Sequence, residues 1–182
     1  MKFKTPLQIA VFFAALGVAG KLAVYVLHLQ HIPEVQFYIV VYYLVLLLFT
    51  VFFGIRQYKL FAEKETGYFD DVKAGVRAGM LFAMIIGLVT YFYYNNIDTD
   101  FFEIRRQEVK ESVVHQAKEM LKQGKSKEEI NAFLKNQFIS METMLTPYFQ
   151  TIMTVFGMTF MAFFNALIFA VFMRKFPGFK KT

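Results

Sequence analysis

Residues Phe37 to Ile55 read FYIVVYYLVLLLFTVFFGI, nineteen positions without a charge. A helix rises 1.5 Å per residue, so about 20 mainly apolar residues cross roughly 30 Å of hydrocarbon. This stretch meets that requirement. Three more segments do so. Residues 7–29 hold one charge, Lys21; residues 78–95 form the third; residues 151–173 form the fourth, with Asn165 its most polar side chain. The first segment has a rival reading as a signal peptide, because Met1-Lys2-Phe3-Lys4 precedes it and Gly17-Val18-Ala19 offers small residues for cleavage. The apolar run continues from Leu22 to Leu29, which favours a span.

The composition agrees. Of 182 residues, 57% are hydrophobic, against the ~45–50% usual in soluble domains. The excess sits in blocks rather than along helical faces. The net charge is +6. Its basic residues flank the apolar spans, as the positive-inside rule requires. No basic–aromatic stripe marks a nucleic-acid surface, so nucleic acid is excluded as a partner and membrane lipid takes its place. There are no cysteines, hence no disulfides, thiolate metal sites or Cys nucleophiles. His28, His31 and His115 are too scattered for a zinc site. The chain has no P-loop, GxSxG, HExxH or dinucleotide fingerprint. The expectation is therefore no enzyme, no cofactor and no metal.

Charge also orients the spans. Lys2, Lys4, Arg56, Lys59, Lys64, Lys73, Arg77, Arg174, Lys175, Lys180 and Lys181 fall on one side. The other side holds the turn at His31-Ile32-Pro33-Glu34, with no Lys or Arg, and a long loop from Asp98 to Gln150. That loop has eight basic and nine acidic residues, and long loops weigh less in the rule. Both termini are expected to be cytoplasmic.

The long loop is helical by pattern. Asp100 to Glu103 and Ser126 to Glu129 both read as capping boxes. Gln123-Gly124-Lys125 reads as a helix end and turn. Phe102, Val109, Val113, Ala117 and Met120 keep helical spacing, as do Ile130, Phe133, Leu134, Met141 and Met144. The expected fold is all-α: a four-helix transmembrane bundle, one membrane domain over residues 1–182. An extracytoplasmic amphipathic helical hairpin is expected over about residues 98–147, each helix continuing its neighbouring span. Pro147 kinks or starts the fourth span.

Three constellations are candidate functional positions. The first is a polar layer at the depth of Lys21, with Tyr42, Tyr43, Thr90 and Thr159. An intramembrane charge is a functional hypothesis by default. Lys21 is read first as snorkelling to the outer interface; an interhelical hydrogen bond and a ligand or ion role stay open beside that. The second is helix packing through Gly75 and Gly79, a GxxxG pair, and through Ala162, Ala166 and Ala170, with Asn165 bonding across to a neighbour. The third is an outer acidic cap, Asp98, Asp100 and Glu103. It is read as helix capping, with cation binding and acid–base work as alternatives.

Several stretches carry a family likeness. They are Gly54-Ile55-Arg56-Gln57-Tyr58, Gly67-Tyr68-Phe69-Asp70-Asp71-Val72-Lys73-Ala74-Gly75, Asn96-Ile97-Asp98-Thr99-Asp100-Phe101 and Gln123-Gly124-Lys125-Ser126-Lys127-Glu128-Glu129-Ile130. On these the chain resembles domain-of-unknown-function family 4199, small inner-membrane proteins typical of Bacteroidota. Thr99 stands where that family commonly has Pro. The resemblance brings no catalytic residues. It implies a neighbourhood of membrane glycosyltransferases. The functional expectation is a non-enzymatic scaffold or accessory subunit whose hairpin docks a membrane protein partner. The alternative is a small transporter or lipid-binding protein built on the Lys21 layer.

Overall fold

The computed structural model describes residues 5–62 and 65–175. Lys2, Lys4, Lys64, Lys180 and Lys181 of the charge count lie outside the described residues. Among the described residues there are six helices and no strand. They are α1 (Pro6–Val26), α2 (Pro33–Phe61), α3 (Tyr68–Asn96), α4 (Phe101–Lys122), α5 (Lys127–Met144) and α6 (Pro147–Lys175). Helices α1, α2, α3 and α6 are long and apolar enough to cross a membrane.

Local chemistry sets the boundaries. Thr5 caps α1 by accepting the Gln8 N–H, with Pro6 in the first turn. The α1 helix stops at Val26, short of the expected Leu29. The stop is a Schellman turn: His28 sits at φ +56°, its N–H reaches the Tyr25 carbonyl, and the Leu29 N–H reaches Val24. Apolar composition continues through Leu29, but the backbone does not stay helical. Helix α2 begins at Pro33, which lacks the N–H that a first turn leaves unpaired anyway. It runs to Phe61, a turn and a half past the uncharged stretch. Helix α3 begins at Tyr68, ten residues before its apolar run. Asp70 accepts the Gly67 N–H, and Asp70 and Asp71 donate their own N–H groups to the Gly67 carbonyl.

The chain divides into two compact units, Met1–Val89 with Met153–Thr182 and Thr90–Ile152. In the first, one apolar core gathers Ile9 and Phe13 of α1, Leu47 and Val51 of α2, Phe82 and Ile86 of α3, and Ala162 and Ala166 of α6. Half of the apolar window of α3 is buried, against 17% for α6. Phe156, Phe160, Phe164 and Ile168 of α6 face outward. An apolar face of that extent suits a hydrocarbon surround, not water.

In the second unit α4 and α5 pack on each other. Gly124 at φ +77° makes the turn between them, with the Lys125 N–H on the Met120 carbonyl. The Ser126–Glu129 capping box is complete on both sides. The Asp100–Glu103 box does not form. Asp100 takes helical dihedrals, φ −86° and ψ −9°, so its carboxylate makes no cap bond; a capping residue needs extended backbone to reach the first free N–H groups. The pair is not a smooth continuation of its neighbours. Ile97 to Asp100 separate α3 from α4. Leu145 and Thr146 separate α5 from α6, where the Thr146 hydroxyl accepts the Phe149 N–H and Pro147 starts the helix.

Candidate functional site

The most constructed polar site in the first unit lies where the ends of α2, α3 and α6 meet. Asp71 is fully buried in the first turn of α3, where the positive end of the helix dipole favours a carboxylate. Its oxygens accept from Lys59 Nζ at 3.0 Å, Thr66 Oγ1 at 2.6 Å and Arg174 Nε at 3.4 Å. Lys59 also donates to Thr66 Oγ1 at 3.2 Å. Arg174 donates from Nη2 to the Thr66 carbonyl and stacks over the Tyr68 ring at 5.9 Å. A buried carboxylate needs such pairing, because leaving water costs a lone ion several kcal/mol. The result ties α2, Thr66, α3 and α6 to one carboxylate.

The sequence shows Lys59 and Arg174 only as charges that orient the spans, and Asp71 only within the stretch that carries the family likeness. Lys59 lies 12 positions from Asp71 and Arg174 lies 103 away, so no local spacing announces the contact. The nearest signal was the Gly67–Gly75 stretch within the family likeness.

Lys21 is buried, with 8% of its surface exposed. Its neighbour Gly20 lies against the Tyr42 ring, where a Cβ would meet Cε1 at 2.6 Å; Gly17 likewise seats Tyr43. Tyr42 donates its hydroxyl to the Leu16 carbonyl at 2.8 Å, and Tyr43 is buried. Thr159 is half-buried on α6, and Thr90 is buried in the second unit.

The small residues meet across helices. A Cβ on Gly79 would meet that of Ala162 at 2.5 Å and Val51 Cγ2 at 3.0 Å. One on Gly75 would meet Ile55 Cγ1 at 2.9 Å and the Ala166 Cβ at 3.0 Å. Ala170 is fully buried on the same ridge of α6. Asn165 is half-buried beside it, and no hydrogen bond joins its side chain to another described residue.

The three outer carboxylates go separate ways. Asp98 is buried and accepts the Tyr93 hydroxyl at 3.3 Å. Asp100 accepts from Thr99 Oγ1 at 3.2 Å, and Glu103 pairs with Arg106 at 3.3 Å. Arg106 in turn donates to the Leu145 carbonyl at 2.8 Å, tying α4 to the end of α5. Among the described residues no group of three or more His, Cys, Asp or Glu is placed to hold a metal ion.

A family model described as protein of unknown function (DUF4199) matches residues 8–175. The chain belongs to the DUF4199 family. The match covers all four long apolar helices and the α4–α5 pair, so the DUF4199 unit includes both the Asp71 cluster and the helix pair. No curated protein and no solved structure matches the chain.

Proposed function

We propose that this DUF4199 protein is a non-enzymatic scaffold or accessory subunit of an inner-membrane assembly. In this reading both termini are cytoplasmic, and the α4–α5 pair is an extracytoplasmic hairpin that receives a membrane protein partner. The groove on that pair carries the reading. Val114, Ala117, Leu121, Ile130 and Leu134 line an open groove of about 360 Å³, with Lys118 and Lys127 beside it. Leu121 is 61% exposed. Two short helices that keep their apolar stripe partly uncovered can take the apolar face of a third helix. The two lysines favour an acidic rim on that partner. A glycosyltransferase is the partner class that the family resemblance raises.

Affinity capture of the full-length chain in mild detergent, beside a Leu121→Asp variant, tests this. The expected result is a reproducible partner held by the parent chain and lost from the variant. Recovery of the chain alone, or a partner held equally by both, overturns the scaffold role of this groove.

A further inference from the structure

The Asp71 cluster is not closed. Two cations face the one buried carboxylate, so the pairing itself carries one positive charge in excess, with Glu65 and Asp70 exposed at the same helix end. Asp71 has no exposed surface, while the Arg174 side chain is 40% exposed. Arg174 spends Nε on Asp71 and Nη2 on the Thr66 carbonyl. Among the described residues its Nη1 has no acceptor, and Lys59 Nζ makes two bonds of the three that its N–H groups allow. The buried carboxylate thus holds a guanidinium and an ammonium side by side, with donors left over at the surface.

The setting adds to this. Arg56, Lys73, Arg77 and Lys175 are exposed on the same three helix ends. Tyr58 is exposed there too, and Tyr68 lies under Arg174. Tyrosines beside cations, at the ends of long apolar helices, mark the depth of lipid headgroups in a membrane. A guanidinium fork matches the geometry of phosphate oxygens, and a nearby ammonium adds charge without a fixed shape.

We infer that Arg174 and Lys59, held by Asp71, form a binding site for an anionic phosphate, the phosphodiester of an acidic lipid headgroup. Asp71 and Thr66 are positioning residues; Arg174 and Lys59 touch the phosphate. A headgroup that carries its own cation is disfavoured by the charge excess. The site is independent of any protein partner on the α4–α5 groove.

The full-length chain in nanodiscs of mixed phosphatidylglycerol and phosphatidylcholine provides the test, with retained lipid counted by native mass spectrometry. The parent chain is expected to retain phosphatidylglycerol in preference. Arg174→Gln is expected to reduce that preference about tenfold, the worth of one charge-assisted hydrogen bond. Lys73→Gln removes an equal charge from the same helix ends outside the cluster, and little change is expected. Equal losses in the two variants mean general surface charge, and overturn the site. So does an unchanged preference in Arg174→Gln. If that variant does not fold, Arg174→Lys keeps the charge without the fork, and a drop of roughly threefold is expected; no drop overturns the site. Excess inorganic phosphate separates the two sources of the ligand. Lipid retained in its presence supports a headgroup site, and lipid displaced by it assigns the same donors to a soluble phosphate and overturns the headgroup assignment.

Discussion

Asp71 shows how much one buried carboxylate organises. It accepts from Lys59, Thr66 and Arg174, so its removal strands two cations rather than one side chain. Breaking a buried pair from one side costs about 3–5 kcal/mol. Arg174 is partly solvated, so Asp71→Asn belongs near the lower figure, about 3 kcal/mol. Unfolding midpoints in mixed micelles check it. The double variant Lys59→Met with Asp71→Asn is expected to lose less than the sum of the singles, because neighbours in one network do not add. Lys21 makes the same point from the other side. It is a charge within an apolar stretch, yet its side chain is buried among protein atoms. Sequence position located the charge; it did not say which way the side chain turned.

Helix packing depends on where a methyl group fits. Gly79 and Gly157 are both glycines of long apolar helices, and composition does not separate them. A Cβ on Gly79 meets Ala162 at 2.5 Å, and one on Gly157 meets nothing within 4 Å. Gly79→Ala is expected to destabilise by about 1–3 kcal/mol through overpacking. Gly157→Ala is expected to be neutral, or to stabilise by up to about 1 kcal/mol through helix propensity. Parallel unfolding curves in one detergent decide, and equal effects at the two sites would contradict the packing. The GxxxG pair was legible from its spacing. That Val51 and Ile55 of α2 also press on it was not, because their own spacing only says that they are apolar.

For the whole molecule, the proposal to test is the orientation that the charge count predicts for the four long apolar helices. The chain has no cysteine, so single cysteines report cleanly. Glu65→Cys and Lys125→Cys, both outside the long apolar helices, are expected to react with an impermeant thiol reagent from opposite sides of the membrane. In intact cells the Lys125→Cys chain is labelled, and the Glu65→Cys chain only after the membrane is opened. Reaction of both from one side contradicts the topology. The two compact units follow from composition as well. One is built on long apolar helices with charges gathered at their ends, and the other carries charged helices that retain an apolar stripe.

The sequence by itself determined the long apolar helices, the Gly124 turn, the Ser126 cap and the family. These depend on runs of apolar residues, or on side chains within four positions of the backbone they serve. Tertiary structure alone decided the Asp71 cluster, the burial of Lys21 and the failure of the Asp100 box. Lys59 and Arg174 reach Asp71 from other helices, over separations that no periodicity records. Lys21 lies in an apolar stretch, and its burial is set by neighbouring helices that its own position in the sequence does not name. Asp100 has the right side chain for a cap, and the turn from Ile97 to Asp100 sets its backbone where that side chain does not reach. Stretch FYIVVYYLVLLLFTVFFGI announced a helix long and apolar enough to cross a membrane; which of its faces is buried and which stays exposed was settled by the shapes of the neighbours.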